Sequence, residues 1–148
     1  MGLLKKIFRP NSYPDELIII FERELQIQRD HLFGITLFSQ GIELMYANQP
    51  DILENNRKSF QNIKDRTESI ISTAETLLQN VKDDPGRVRE LKRFKLPPIG
   101  GNPMLNQMAK SAKLLVDTYE RIFPGRPRSK PLTNEEKSHL MKEIAEQI

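Results

Sequence analysis

The sequence predicts an all-α protein: a helical bundle built on a long antiparallel helical hairpin, with a third helix and a short C-terminal helix. Three observations carry that expectation. Apolar residues recur every three or four positions through most of the chain, the period of one helix face. No stretch alternates apolar and polar residues long enough to make a half-buried strand. Proline- and glycine-marked breaks at Pro50, Asp84-Pro85-Gly86 and Pro124-Gly125 cut the periodic stretches into helix-sized pieces.

The first helix is expected to start near Ser12-Tyr13-Pro14-Asp15, where proline suits the first turn and Asp15 and Glu16 face the positive end of the helix dipole. Its stripe is Leu17, Phe21, Leu25, Gln28, Leu32, Ile35, Phe38, Ile42 and Met45, with Gln28 the one polar interruption. Gly34 and Gly41 each cost up to about 1 kcal/mol relative to alanine inside a helix, which points to close helix approach. After the short Asn48-Gln49-Pro50-Asp51 junction, Leu53, Phe60, Ile63, Thr67, Ile70, Ala74, Leu77 and Val81 mark a second long helix. So short a connection makes the two helices antiparallel neighbours.

The third helix is announced by Asn102 as N-cap and Pro103 at the first helical position, followed by Leu105, Met108, Ala112, Leu115, Tyr119 and Ile122. The last opens with Thr133 and, three residues on, Glu136, the spacing of a reciprocal capping box, and then presents Leu140, Ile144 and Ile148. Four segments follow: an amphipathic basic stretch at 1–10, a bundle at 11–123, a basic Pro-rich linker at 124–132 and the last helix at 133–148. That helix docks either on its own bundle or on a neighbouring chain.

The 148 residues contain no cysteine, which excludes a disulfide scaffold and any thiolate metal site. The longest apolar run, Leu17 to Phe21, is far short of the ~18 residues that cross a bilayer. Lys5 and Lys6 interrupt the first ten residues before an apolar run of secretory-signal length can form. A cytoplasmic protein is expected, with a possible site of action at the inner face of a membrane.

The net charge of +3 hides a segregation. Residues 1–10, 87–95 and 126–130 hold 11 basic residues and one acid, while the remaining positions sum to −7. Any attraction to an anionic surface therefore acts through those three segments. The candidate anion-binding residues are Arg87, Arg89, Lys92, Arg93, Lys95, Arg126, Arg128 and Lys130. A nucleic-acid role also calls for stacking aromatics, and only Phe94 is at hand.

In the first segment, Leu3, Leu4, Ile7 and Phe8 fall on one helical face with Lys5, Lys6 and Arg9 around it, the layout of a helix lying in a membrane interface. Four apolar side chains at about 1.5–3 kcal/mol each and about 1 kcal/mol per basic residue nearly cancel an ordering cost of roughly 1–2 kcal/mol per residue. One copy then binds weakly and reversibly. The competing expectation is that this face packs on the bundle or on a sister chain. Lys6 stands where N-myristoylation prefers Ser or Thr.

Catalysis is not expected. Of the two histidines, His139 lies three residues after Glu136, as in carboxylate-bridged di-metal bundles, but no second such pair exists, since Gln28 stands three before His31. Neither a metal nor another cofactor is expected. Leu17, Ile18, Ile19, Ile20 and Phe21 are apolar all round the first helix and form the candidate oligomer interface. The resulting expectation is a non-enzymatic interaction or scaffold protein that joins copies of itself or a larger complex. The alternative is a nucleic-acid-associated accessory protein.

Overall fold

A computed structural model describes the backbone from residue 2 and the side chains from residue 15 to the end of the chain. The elements are α1 (Gly2–Met45), α2 (Pro50–Asp83), one turn of 3₁₀ helix (Pro85–Arg87), α3 (Arg89–Arg93), α4 (Pro103–Ile122) and α5 (Asn134–Gln147). Among the described residues there is no strand, and the architecture is the all-α bundle expected from the apolar period. One boundary differs. The helix expected to open at Ser12–Asp15 opens at Gly2, so Pro10 and Pro14 fall inside it although an interior proline forgoes a backbone hydrogen bond and crowds the preceding turn.

Packing divides the chain into two compact units, Met1–Gln28 with Glu68–Pro97, and Arg29–Thr67 with Pro98–Ile148. In the first, α1 buries Phe21 and Leu25, α2 buries Ile71, Ala74, Leu78 and Val81, and the following turns bury Val88 and Leu91. The α2 stripe sits one residue from its expected centre, on Ile71 and Leu78 more than on Ile70 and Leu77. Adjacent apolar pairs make a broad stripe, and the neighbours decide its midline. Lys82 pairs with Glu22 across α1 and α2 at 2.7 Å. Gln28, the polar break in the α1 stripe, is buried and donates through Nε2 to the Pro97 carbonyl at 2.6 Å.

In the second unit the chain reverses after α1 through hydrogen bonds from Tyr46 N–H to the Ile42 carbonyl and from Gln49 N–H to the Tyr46 carbonyl. Asn56 of α2 then donates to Ser39 and Arg57 to Glu43. The core gathers Leu37, Leu115, Tyr119, Leu132 and Leu140, with Phe33, Ile122, Phe123, Met141 and Ile144 packed on it. Here the expected α1 stripe fails at two positions: Phe38 and Met45 are exposed, and Leu37 is buried instead. Packing against α4 as well as α2 rotates the buried arc away from the single face that the period selects.

α5 packs on α4 of the same chain, which answers whether it docks within its own chain. Leu132, in the stretch expected to be a linker, belongs to the core. Both expected caps form. Asn102 Oδ1 accepts from Leu105 N–H at 2.8 Å. The Thr133 hydroxyl accepts from Glu136 N–H while the Glu136 carboxylate accepts from Thr133 N–H. Among the described residues, no helix is long and apolar enough to cross a membrane.

Candidate functional site

The tether residues Leu3, Leu4, Lys5, Lys6, Ile7, Phe8 and Arg9 lie outside the described side chains. The candidate interface at 17–21 is split by the fold. Phe21 is buried, Leu17 and Ile18 are half-buried, and Ile19 and Ile20 remain 54% and 49% exposed. Ile27, two turns beyond Ile20, is 51% exposed. A helix with apolar residues on every side cannot bury them all against neighbours on one side.

Beside Ile20, within the first unit, lies a groove of about 350 Å³. One wall is Leu17, Ile20, Phe21 and Glu24 of α1; the other is Leu91 and Lys92 of α3 with Phe94, Lys95 and Leu96 after it. Local sequence builds the second wall. Asp84 accepts from Gly86 N–H and starts the 3₁₀ turn, α3 ends after five residues, and Phe94 takes extended backbone angles of φ −76°, ψ 118°. The spacing of Val88, Leu91 and Phe94 turns those three inward: the first two are buried, and Phe94 meets Phe21 edge to face with centroids 6.1 Å apart. Such a contact adds about 0.5–1.5 kcal/mol beyond its buried area.

Of the basic residues on α3 and just beyond it, Arg89, Lys92, Arg93 and Lys95 are exposed, and Lys92 and Lys95 line the groove. Arg87 makes a two-pronged bond to Glu90 at 2.6 and 3.0 Å. That contact keeps the Glu90 carboxyl below its usual range, the hydrogen bond from Arg87 being the main cause.

The second basic joint is committed inside the second unit. Arg126 pairs with Glu136 and donates to the Pro131 carbonyl. Arg128 bonds Asp30 at 2.6 Å and Glu120 at 2.9 Å, and its guanidinium carbon lies 4.7 Å from the centre of the Phe33 ring. Lys130 is exposed. The sequence shows the charge of these arginines but not the acids that meet them, because Asp30 stands 98 residues from Arg128.

Glu136 is occupied by the cap of α5 and by Arg126, while His139 stands edge-on to Phe123 and 3.7 Å from Glu143. Among the described residues, no three His, Asp or Glu side chains converge as metal ligands. His31 is half-buried, and loss of solvent lowers its proton affinity. The groove went unread in the sequence for two reasons. Glu24 resembles the other acids of a solvated helix face, and Leu96 precedes the Pro97-Pro98 pair and reads as connector.

Comparison of the chain with models of known families, with curated proteins and with solved structures finds no match.

Proposed function

We propose that this chain is a non-enzymatic helical interaction protein of the cell interior that assembles with copies of itself or within a larger complex. The reading is supported by the apolar surface of α1 in the first unit. Ile19, Ile20 and Ile27 stay about half exposed on a helix whose Phe21 and Leu25 are buried. Large aliphatic side chains grouped in this way mark surfaces that a partner covers.

Light scattering on size-separated full-length protein over a concentration series tests it. The natural chain is expected to gain mass with concentration. A variant carrying Ile19→Glu and Ile27→Glu, neither of which lines the groove, is expected to stay monomeric with an unchanged helical spectrum. A monomer at every concentration overturns self-assembly.

Residues 1–10 are proposed to add contact with an anionic membrane surface, on the strength of their amphipathic basic pattern. Sedimentation with anionic vesicles is expected to fall when Lys5, Lys6 and Arg9 become glutamine, and equal sedimentation overturns the tether. The nucleic-acid alternative has less support, since Arg87, Arg126 and Arg128 are engaged by acids of their own chain.

A further inference from the structure

We infer that the groove between α1 and the α3–Leu96 segment is a binding site for a single-chain amphiphile with an anionic head, a carboxylate or phosphate on an alkyl tail. The inference is independent of self-assembly: Ile20 belongs to both surfaces, whereas Ile19 and Ile27 lie outside the groove and Phe94, Lys95 and Leu96 lie outside the exposed α1 face.

Three features carry it. First, the lining is graded: Leu91 is buried and Phe94 and Leu96 are half-buried, whereas Lys92 and Lys95 are exposed. An alkyl chain placed against the apolar floor therefore brings its head to the lysines, as in small-molecule sites where a few polar groups fix the orientation of an apolar ligand.

Second, the size suits one chain. The volume of about 350 Å³ falls at the low end of the roughly 300–1,000 Å³ typical of ligand pockets. A stable protein contact requires about 20–30 residues a side, far more than the lining supplies.

Third, the charge is complementary to an anion. The lining holds two lysines, Lys92 and Lys95, against one acid, Glu24 on the α1 wall, so its charge is net positive. Glu24 opposes the anionic head and holds affinity down. Charge-assisted hydrogen bonds from an ammonium to a carboxylate are among the stronger ones.

The test is titration of the isotope-labelled full chain with decanoate below its micelle concentration, followed by amide NMR shifts, with decanol as the uncharged control. Shifts are expected at residues 17–24 and 91–96. Lys92→Gln with Lys95→Gln should weaken decanoate by about fivefold or more and leave decanol unchanged; Glu24→Gln should tighten decanoate by about twofold or more. All three side chains are exposed, so these variants keep the fold, and Ile20→Asp should abolish binding of both probes.

Shifts spread over other surfaces, equal affinity for decanoate and decanol, or insensitivity to the lysine changes each overturn the site. So does binding seen only with phosphatidylglycerol vesicles and never with the monomeric probe, which would assign the face to a bilayer. Concentration-dependent shifts at residues 91–96 without any probe would assign the groove to a second copy and likewise overturn the inference, whereas such shifts confined to Ile19 and Ile27 report self-assembly alone.

Discussion

Gly34 of α1 lies directly against Ala112 of α4: a Cβ on Gly34 would stand 2.5 Å from the Ala112 carbonyl oxygen and 2.6 Å from its Cβ. Both atoms are fixed by a helix backbone, so neither can move aside cheaply. Gly41 instead faces the flexible end of Met141, whose Sδ would lie 2.6 Å from the added atom. Gly34→Ala is therefore expected to lose about 1–2 kcal/mol, overpacking of about 1–3 kcal/mol outweighing a helix-propensity gain of up to about 1. Gly41→Ala is expected to be neutral or mildly stabilising. Urea midpoints of the two variants check the contrast, and equal shifts would contradict it.

The part-buried hydrogen bond from Gln28 to the Pro97 carbonyl fastens α1 to the segment after α3. Replacing Gln28 with methionine keeps the bulk and removes the donor, at an expected cost of about 1 kcal/mol. Hydrogen exchange of the amides at 94–96 should quicken in the same variant. A stabilised protein with unchanged exchange would show that the polar residue has no anchoring role.

Arg128 joins the chain after α4 to Asp30 of α1, to Glu120 of α4 and to the Phe33 ring. Lysine keeps the charge but not the planar fork that meets two carboxylates and a ring together. Arg128→Lys is expected to lose stability, and a cycle with Phe33→Leu should show coupling of about 0.5–1 kcal/mol. Added salt should shrink the Asp30 and Glu120 contributions. Zero coupling at low salt would reduce the cluster to coincident geometry.

The Glu136 carboxyl is held below its ordinary range, chiefly by the hydrogen bond from the Thr133 backbone. Its folded-state proton affinity is depressed, so its contribution is complete above the ordinary carboxylate pKa and is lost as pH falls through the lowered folded value. The stability gap between the natural chain and Glu136→Gln should accordingly close on acidification. Thr133→Ala should cost about 1 kcal/mol at neutral pH. A gap that ignores pH would mean the carboxylate charge is not used.

Burial lowers the pKa of His31 from the ordinary value of 6.5. The unfolded chain then binds the proton more readily, and stability falls as pH drops below the ordinary value, levelling once the folded histidine is protonated too. Denaturation midpoints at neutral and mildly acidic pH should show the natural chain losing stability relative to His31→Gln as the solution becomes acid, and a difference that ignores pH would contradict this.

The helices were readable because their signals are local. Asn102 and Thr133 marked the starts of α4 and α5 at the residues where the caps form, since a cap is made within three residues. The three-residue spacing of Val88, Leu91 and Phe94 is local in the same way, and all three turn inward. Pro14 misled for the same reason: a local preference for helix starts does not forbid passage through a helix.

Periodicity states that a helix has an apolar face, and the residues alone determined an all-α chain, its breaks and its segregated charge. Tertiary structure decided which arc of each face is covered, leaving Phe38 outside and Leu37 inside. It also decided which charges are met, giving Arg128 to Asp30 and leaving Lys95 at the mouth of a groove. Burial and ion pairing depend on distance in space between residues far apart in the chain, and the period of a single segment holds no record of that distance.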